Sequence, residues 1–224
     1  MNKEQIIDSL KNSLQLEFAN ESTGHDWFHI ERVWKTSKYI AQKEGGDLFV
    51  VELAALLHDI ADHKFVENAD VVAEMRIKKI LSDLKVDEGV IEKVSHIVRL
   101  CSFKGNAEVN KMDVLEGLII QDADRLDAIG AIGIARTFAF GGKFGNLLYH
   151  PDIKPTKFSS AKEYRDKRTH TINHFYEKLL LLKDLMNTQT GKKLALKRHV
   201  FMEKFLNQFY DEWNAKSELS LESE

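Results

Sequence analysis

The chain is poor in residues that break helices and in those that staple folds. Only two prolines, Pro151 and Pro155, occur in 224 residues, so long helices can run uninterrupted almost everywhere else. A single cysteine, Cys101, excludes an internal disulfide framework and fits a reducing compartment. There is no run of about eighteen apolar residues, and the opening Met1-Asn2-Lys3-Glu4-Gln5 leads into an amphipathic segment. The expectation is a soluble, cytoplasmic protein with no membrane partner. Charge of one sign is also missing: 32 lysines and arginines face 35 aspartates and glutamates, a net charge of −3. That balance argues against a dedicated binder of nucleic acid or anionic membrane. No Gly-x-x-x-x-Gly-Lys loop, Gly-x-Ser-x-Gly elbow or Cys-x-x-Cys pair occurs, which removes the usual ATPase, esterase and structural-zinc readings.

What is present is a helical pattern. With 43% hydrophobic and 30% charged residues the composition is globular, and the length favours one domain over residues 1–224. Apolar residues recur at spacings of three and four: Ile6, Leu10, Leu14 and Phe18, then Ile30, Val33, Trp34 and Ile40. No sustained two-residue alternation competes. Further helices are predicted at about 48 to 61, 66 to 84, 87 to 102, 111 to 127 and 128 to 139, with Gly45-Gly46 stopping the second. Both prolines fall in a glycine-containing stretch at about 141 to 160, the one long loop predicted. Two C-terminal helices come after it, at about 160 to 187 and 190 to 215, with stripes Tyr164, Phe175, Leu179, Leu182 and Phe201, Phe205, Phe209, Trp213. They are expected to pair as a hairpin serving as core or as a homodimer face. The fold class predicted is all-α, a single-domain helical bundle.

Chemistry concentrates in three places. The apolar run Leu53-Ala54-Ala55-Leu56-Leu57 ends in His58-Asp59-Ile60-Ala61-Asp62-His63-Lys64. An unsatisfied polar group at a buried helix end costs roughly 2 to 7 kcal/mol and a charge more, so something should compensate Asp59. A divalent cation suits an imidazole and a carboxylate. On its own the doublet fits an ordinary helix end better, with Asp59 capping and His58 hydrogen-bonded to backbone. His29, however, lies one position before the core-facing Ile30 in Gly24-His25-Asp26-Trp27-Phe28-His29, and Gln121-Asp122-Ala123-Asp124-Arg125-Leu126-Asp127 sets three acids at the end of the apolar run Leu118-Ile119-Ile120. Taken singly, these two also fit Asp26 capping beside an exposed His25, and a solvated face carrying Asp124 and Asp127.

In order, His29, His58-Asp59 and Asp124 resemble the signature of the HD-domain metal-dependent phosphohydrolases. The setting sharpens the match: an apolar helix precedes His58-Asp59, and Ala123-Asp124-Arg125-Leu126 closes an apolar run. The resembling motifs span about residues 24 to 140. Phe140-Gly141-Gly142 and His174-Phe175-Tyr176-Glu177-Lys178-Leu179-Leu180 are similar to a bacterial subgroup that hydrolyses nucleotides. The resemblance implies an HD-type bundle in which His29, His58, Asp59 and Asp124 hold the metal, His25 does not, and Asp122 or Asp127 orients a histidine. Four protein ligands would saturate tetrahedral zinc, whereas catalysis needs open positions, so one six-coordinate ion is expected: manganese or magnesium, with iron, cobalt and nickel not separated by ligand type.

Many relatives carry a glutamate three residues after the aspartate of the doublet, placed to activate water; this chain has Asp62 there, expected to be the catalytic base or to orient the water. His63 is expected at a phosphate or leaving oxygen. A phosphate ester also needs cations, for which Lys64 and Arg32 are candidates, each balanced against a solvated surface charge. Arg125 is expected to pair with Asp122 or another acid. His96 and Arg99, at i and i+3, and Lys104 are expected at a pocket lip, with Phe103 beside it more often a packing residue than a platform for a base. The implied reaction is cleavage of a nucleoside or deoxynucleoside triphosphate to monophosphate and pyrophosphate. Alternatives are a nucleoside monophosphate phosphatase or other phosphoesterase, or a non-catalytic nucleotide-sensing module.

Overall fold

A computed structural model of the chain describes residues 1–19, 26–60, 69–101, 112–156 and 169–216. Nine α-helices and one 3-10 helix, with no strand, make up its regular structure among these residues: α1 (Lys3–Glu17), α2 (Trp27–Glu44), α3 (Leu48–Leu57), α4 (Ala69–Asp83), α5 (Glu88–Cys101), α6 (Leu115–Asp127), α7 (Gly130–Lys143), α8 (Thr171–Glu177), the 3-10 helix Leu179–Leu185 and α9 (Gln189–Trp213). The fold is all-α.

Local chemistry sets the helix starts. Asn2 and Gln5 form a reciprocal capping box on α1, with bonds of 2.9 and 3.0 Å. Asp26 caps α2 by accepting from the His29 amide at 2.8 Å, and α2 ends where Gly45 takes a φ of +91°. Helix α3 is buried on nearly every face, with Phe49, Val50, Val51 and Leu53 through Leu57 all shielded, so it forms the centre of the bundle.

Two apolar clusters build the interior. One joins α1, α3, α4 and α5 through residues such as Leu10, Leu53, Ile77 and Ile97; the other joins α8, the 3-10 helix and α9 through Phe175, Leu182, Ala195 and Met202. Helices α2, α3 and α6 feed both: Ile30 and Ile120 belong to the first cluster, Val33 and Ile119 to the second. These three shared helices carry His29 and Asp124 and lead directly into His58-Asp59, which follow the last residue of α3.

Several predicted boundaries move. The helix predicted to reach residue 61 ends at Leu57. The loop expected from Gly141 begins after Lys143, because Gly141 is helical and lies so close to α8 that a Cβ would meet the Thr171 hydroxyl at 2.4 Å. The helix expected over 160 to 187 is broken at Lys178 (φ −142°, ψ −59°), beyond which the chain winds as a 3-10 helix. Its three-residue turn aligns Leu179 and Leu182, both 2% exposed, along one edge. Tyr164 lies outside the described residues. In α9 the stripe Phe201, Phe205, Phe209, Trp213 is only partly right, since Phe201 and Trp213 are about half exposed. A strict four-residue spacing advances roughly 40° per step, so its two ends rotate off the buried face. The buried row is Gly191, Ala195, His199, Met202 and Leu206, flanked by Phe205 and Phe209.

Candidate metal centre

The centre is built on helix ends. Helix α3 stops at Leu57, which leaves its last carbonyls without intrahelical partners. His58 turns its ring back on one of them, with Nδ1 donating to the Ala55 carbonyl at 2.8 Å. That commits Nδ1–H and leaves the Nε2 lone pair facing the site. Arg76 fixes the adjoining turn by donating to the Ile60 carbonyl at 2.6 Å while its other nitrogen reaches Glu17 at 2.5 Å.

On α2 the same arrangement is made with an acid. His29 is 1% exposed and its Nδ1–H donates to Asp127 Oδ2 at 2.7 Å, so its Nε2 also points inward. The two Nε2 atoms stand 3.2 Å apart. Asp59 Oδ2 lies 3.3 Å from the His29 Nε2 and 3.5 Å from the His58 Nε2, and Asp124 Oδ1 is 3.6 Å from the His29 Nε2. Ligands about 2.1 Å from one ion and at right angles to each other are separated by about 3 Å, so this spacing suits a single cation. Two imidazole Nε2 atoms at this distance must share a proton or a cation. The electrostatics agree: burial alone would lower the His29 pKa, but Asp127, Asp59 and Asp124 together raise it to about 9. The donor set therefore fits a divalent metal. Among the described residues, His29, His58 and Asp59 form the cluster whose ligand atoms all lie within 4.8 Å of one another. Exposure rises across the group, from 1% and 4% for the two imidazoles to 16% for Asp59 and 41% for Asp124, so the centre opens on the Asp124 side.

Other site residues expected from sequence fall in different places. Asp127 is 3% exposed and holds His29. Asp122 is fully buried but turns away from both histidines: its oxygens accept from the Asn187 and Thr188 amides at 2.8 Å, from Asn187 Nδ2 at 3.0 Å and from the Thr188 hydroxyl at 2.7 Å. The expectation that it orients a histidine is corrected, because the start of α9 occupies it. Arg125 donates to the Leu185 carbonyl at 2.6 Å and lies 3.9 Å from Asp122, so it belongs to that same junction and not to the shell around the metal. Arg32, expected at a phosphate, is instead clamped on Asp127 through Nε at 2.6 Å and Nη2 at 3.0 Å. His96 pairs with Asp113 at 2.7 Å and lies 3.3 Å from Arg99 on the exposed face of α5. His25, Asp62, His63, Lys64, Phe103 and Lys104 lie outside the described residues.

Arg136 is the residue that sequence reasoning missed. Its Nη1 donates to Asp127 Oδ2 at 2.6 Å and lies 3.4 Å from His29 Nδ1. The signal was faint: it is the sole charge in α7 before the terminal Lys143. Together Arg32, Arg136 and His29 hold the Asp127 carboxyl far below its usual range against the opposing effect of burial.

The HD domain profile matches residues 27–129. YpgQ of Bacillus subtilis is 39% identical over 203 residues, spanning 90% of each chain. Its crystal structure in complex with ADP superposes with a TM-score of 0.73 at 37% identity, covering 92% of this chain and 97% of that one. An HD-superfamily hydrolase from Bacillus thuringiensis matches with a TM-score of 0.75 and 43% identity over 96% of this chain and 100% of its own. A protein from Lactobacillus plantarum gives a TM-score of 0.81 at 36% identity, over 96% and 100%. The chain belongs to the HD-domain family. Its class is that of the metal-dependent HD-superfamily phosphohydrolases. Among the described residues no helix is long and apolar enough to cross a membrane.

Proposed function

We propose that the chain hydrolyses nucleoside or deoxynucleoside triphosphates to monophosphate and pyrophosphate, using one divalent ion held by His29, His58, Asp59 and Asp124. The observation that carries the metal is the convergence of the His29 and His58 Nε2 atoms and the Asp59 carboxylate within 3.2 to 3.5 Å, with both Nδ1–H groups already committed and Asp124 Oδ1 3.6 Å from the His29 Nε2. A nucleotide substrate is supported by the YpgQ complex with ADP, a relative that accepts a base, a sugar and a diphosphate.

When bound, the ion would polarise a phosphoryl oxygen and make water acidic enough to attack at neutral pH. Four protein ligands leave two positions open on a six-coordinate ion, which favours manganese or magnesium over tetrahedral zinc. The chain's own part is to hold the α-phosphorus at the exposed Asp124 side and to manage protons and charge. Asp62, three residues after Asp59, accepts the proton of the attacking water. The new P–O bond forms at the α-phosphorus as the bond to the bridging oxygen breaks, and pyrophosphate departs. Lys64, Lys104 and His63 are assigned to the departing and nonbridging oxygens, where charge accumulates. Arg32 drops from that set because its guanidinium is engaged with Asp127.

The test is a nucleotide panel with manganese, with orthophosphate measured in the presence and absence of inorganic pyrophosphatase. Orthophosphate that appears only with the helper enzyme is the expected result. Release independent of it, or a higher kcat/KM for monophosphates, would establish a phosphatase instead; binding without turnover would establish a nucleotide sensor.

A further inference from the structure

We infer that Arg136 is a positioning residue of the metal centre, which makes α7 part of the machinery that orients His29. The inference rests on the metal-centre reading above and extends it beyond residues 27–129, the reach of the HD profile.

Asp127 is gripped from three sides by groups on two other helices. Arg32, on α2, forks onto both carboxylate oxygens. Such a fork aligns the carboxylate with the guanidinium plane. Arg136, on α7, adds a second cation at Oδ2, 2.6 Å away, the same oxygen that accepts from His29 at 2.7 Å. Its Nη1 also lies 3.4 Å from the imidazole Nδ1 itself. The direction of the His29 Nδ1–H bond, and with it the aim of Nε2, is thereby set by a side chain from outside the profile-matched core. Groups that orient a ligating histidine typically change metal affinity ten- to a hundredfold when removed.

Arg198 supplies the control. It is also partly buried, and it also ties a C-terminal helix to the end of α6, through a bond from Nη1 to the Leu126 carbonyl. It packs against Gly130, where a Cβ would fall 2.9 Å from its Cγ, and its link to Asp127 is through-space charge alone, since in no described bond does it reach Asp127 or His29. Removing Arg198 should loosen the same junction without re-aiming the histidine.

Manganese binding is read by the electron paramagnetic resonance of free Mn2+, with no nucleotide present, on Arg136→Met, Arg136→Lys and Arg198→Met. Thermal unfolding of the metal-free proteins is measured in parallel. Arg136→Met should weaken Mn2+ binding about ten- to a hundredfold. Arg136→Lys, which keeps the charge without the planar fork, should fall between it and wild type. Arg198→Met should lower the unfolding temperature and leave Mn2+ affinity within about twofold of wild type. At saturating Mn2+ the KM for nucleotide in Arg136→Met should match wild type. Unchanged Mn2+ affinity in Arg136→Met would overturn the inference, as would an equal loss in Arg198→Met, because the effect would then track stability alone. A raised KM with Mn2+ affinity intact would make Arg136 a substrate contact and also overturn it. Failure of the wild-type protein to bind Mn2+ would instead bring down the metal-centre reading itself, and an absence of nucleotide turnover would leave the Mn2+ comparison standing.

Discussion

Asp122 and Asp127 sit on one helix, five residues apart, and are 0% and 3% exposed. Five residues turn an α-helix through about 140° beyond a full revolution, so the two carboxylates point to different regions of the bundle. Asp122 faces the start of α9 and accepts its hydrogen bonds from two backbone amides, an amide side chain and a hydroxyl, all neutral, with the Arg125 guanidinium 3.9 Å away. The approach is so close that a Cβ at Gly191 would fall 2.2 Å from its Oδ2. Asp127 faces α2 and is satisfied by two guanidinium groups and an imidazole. Burial is the same; partner chemistry differs. Neutral donors at a helix start make a carboxylate a fastener between elements, whereas cationic partners beside a histidine make it part of an electrostatic centre.

Asp124 lies between these two acids in sequence, and its side chain is 41% exposed. It should separate function from stability most sharply. Asp124→Ala is expected to abolish Mn2+ binding and reduce phosphohydrolysis to background. It should change the stability of the metal-free protein by no more than about 0.5 kcal/mol, as for other surface substitutions. Isothermal titration with Mn2+ and chemical unfolding in EDTA measure the two halves. Activity retained by this variant in chelator-stripped buffer resupplied with manganese would remove Asp124 from the ligand set.

The opposite outcome is expected at Asp122. Asp122→Ala strands the Thr188 and Asn187 amides and the Thr188 hydroxyl without their acceptor, a loss of about 3 kcal/mol or on the order of 10 °C in Tm. Mn2+ affinity of the folded variant should stay within about twofold of wild type, since no described contact joins Asp122 to His29 or His58. A loss of metal affinity that tracks the loss of Tm would erase the distinction between the two acids.

That distinction was only half legible in the sequence. The helical periodicity, the apolar α3 and the order of His29, His58-Asp59 and Asp124 all stem from local pattern, and the structure brings His29, His58 and Asp59 together with Asp124 3.6 Å from the His29 Nε2. Which face of α6 each further acid occupies depends on contacts 65 and 95 residues away, which no local pattern encodes. Arg32 reads as a free cation near His29 for the same reason, since its partner is a distant carboxylate. The break after Lys178 was hidden differently. Leu179-Leu180-Leu181-Leu182 is apolar at every position, so its pattern contains no period by which an α-helix and a 3-10 helix could be told apart.

A pH dependence sharpens the comparison further, because it should involve Asp127 and not Asp122. His29 has its pKa raised from 6.5 to about 9 in the folded, metal-free protein. A group raised on folding contributes stability that is fully present below its unfolded pKa and is lost as pH climbs through the folded one. Asp127, depressed on folding, contributes in the other direction: its share is present above the unfolded value of about 3.9 and is lost as pH falls. These are two views of one ion pair, so they are not summed. Metal-free protein should therefore be most stable between about pH 4 and 6.5 as far as this pair is concerned, and should lose up to about 3 kcal/mol between pH 6.5 and 9, at no more than about 1.4 kcal/mol per pH unit. Mn2+ should reverse the trend, because the imidazole must shed its proton to ligate and the ion then supplies the charge that the proton supplied before. Urea unfolding in EDTA from pH 5.5 to 9.5, repeated with saturating Mn2+, measures both slopes. Asp127→Asn should reduce the slope of the EDTA profile above pH 6.5, leaving the share of Asp59 and Asp124, while Asp122→Ala should lower the profile uniformly and keep its slope. A wild-type profile in EDTA that is level from pH 6.5 to 9 would show that the carboxylates around His29 do not hold a charge at the centre.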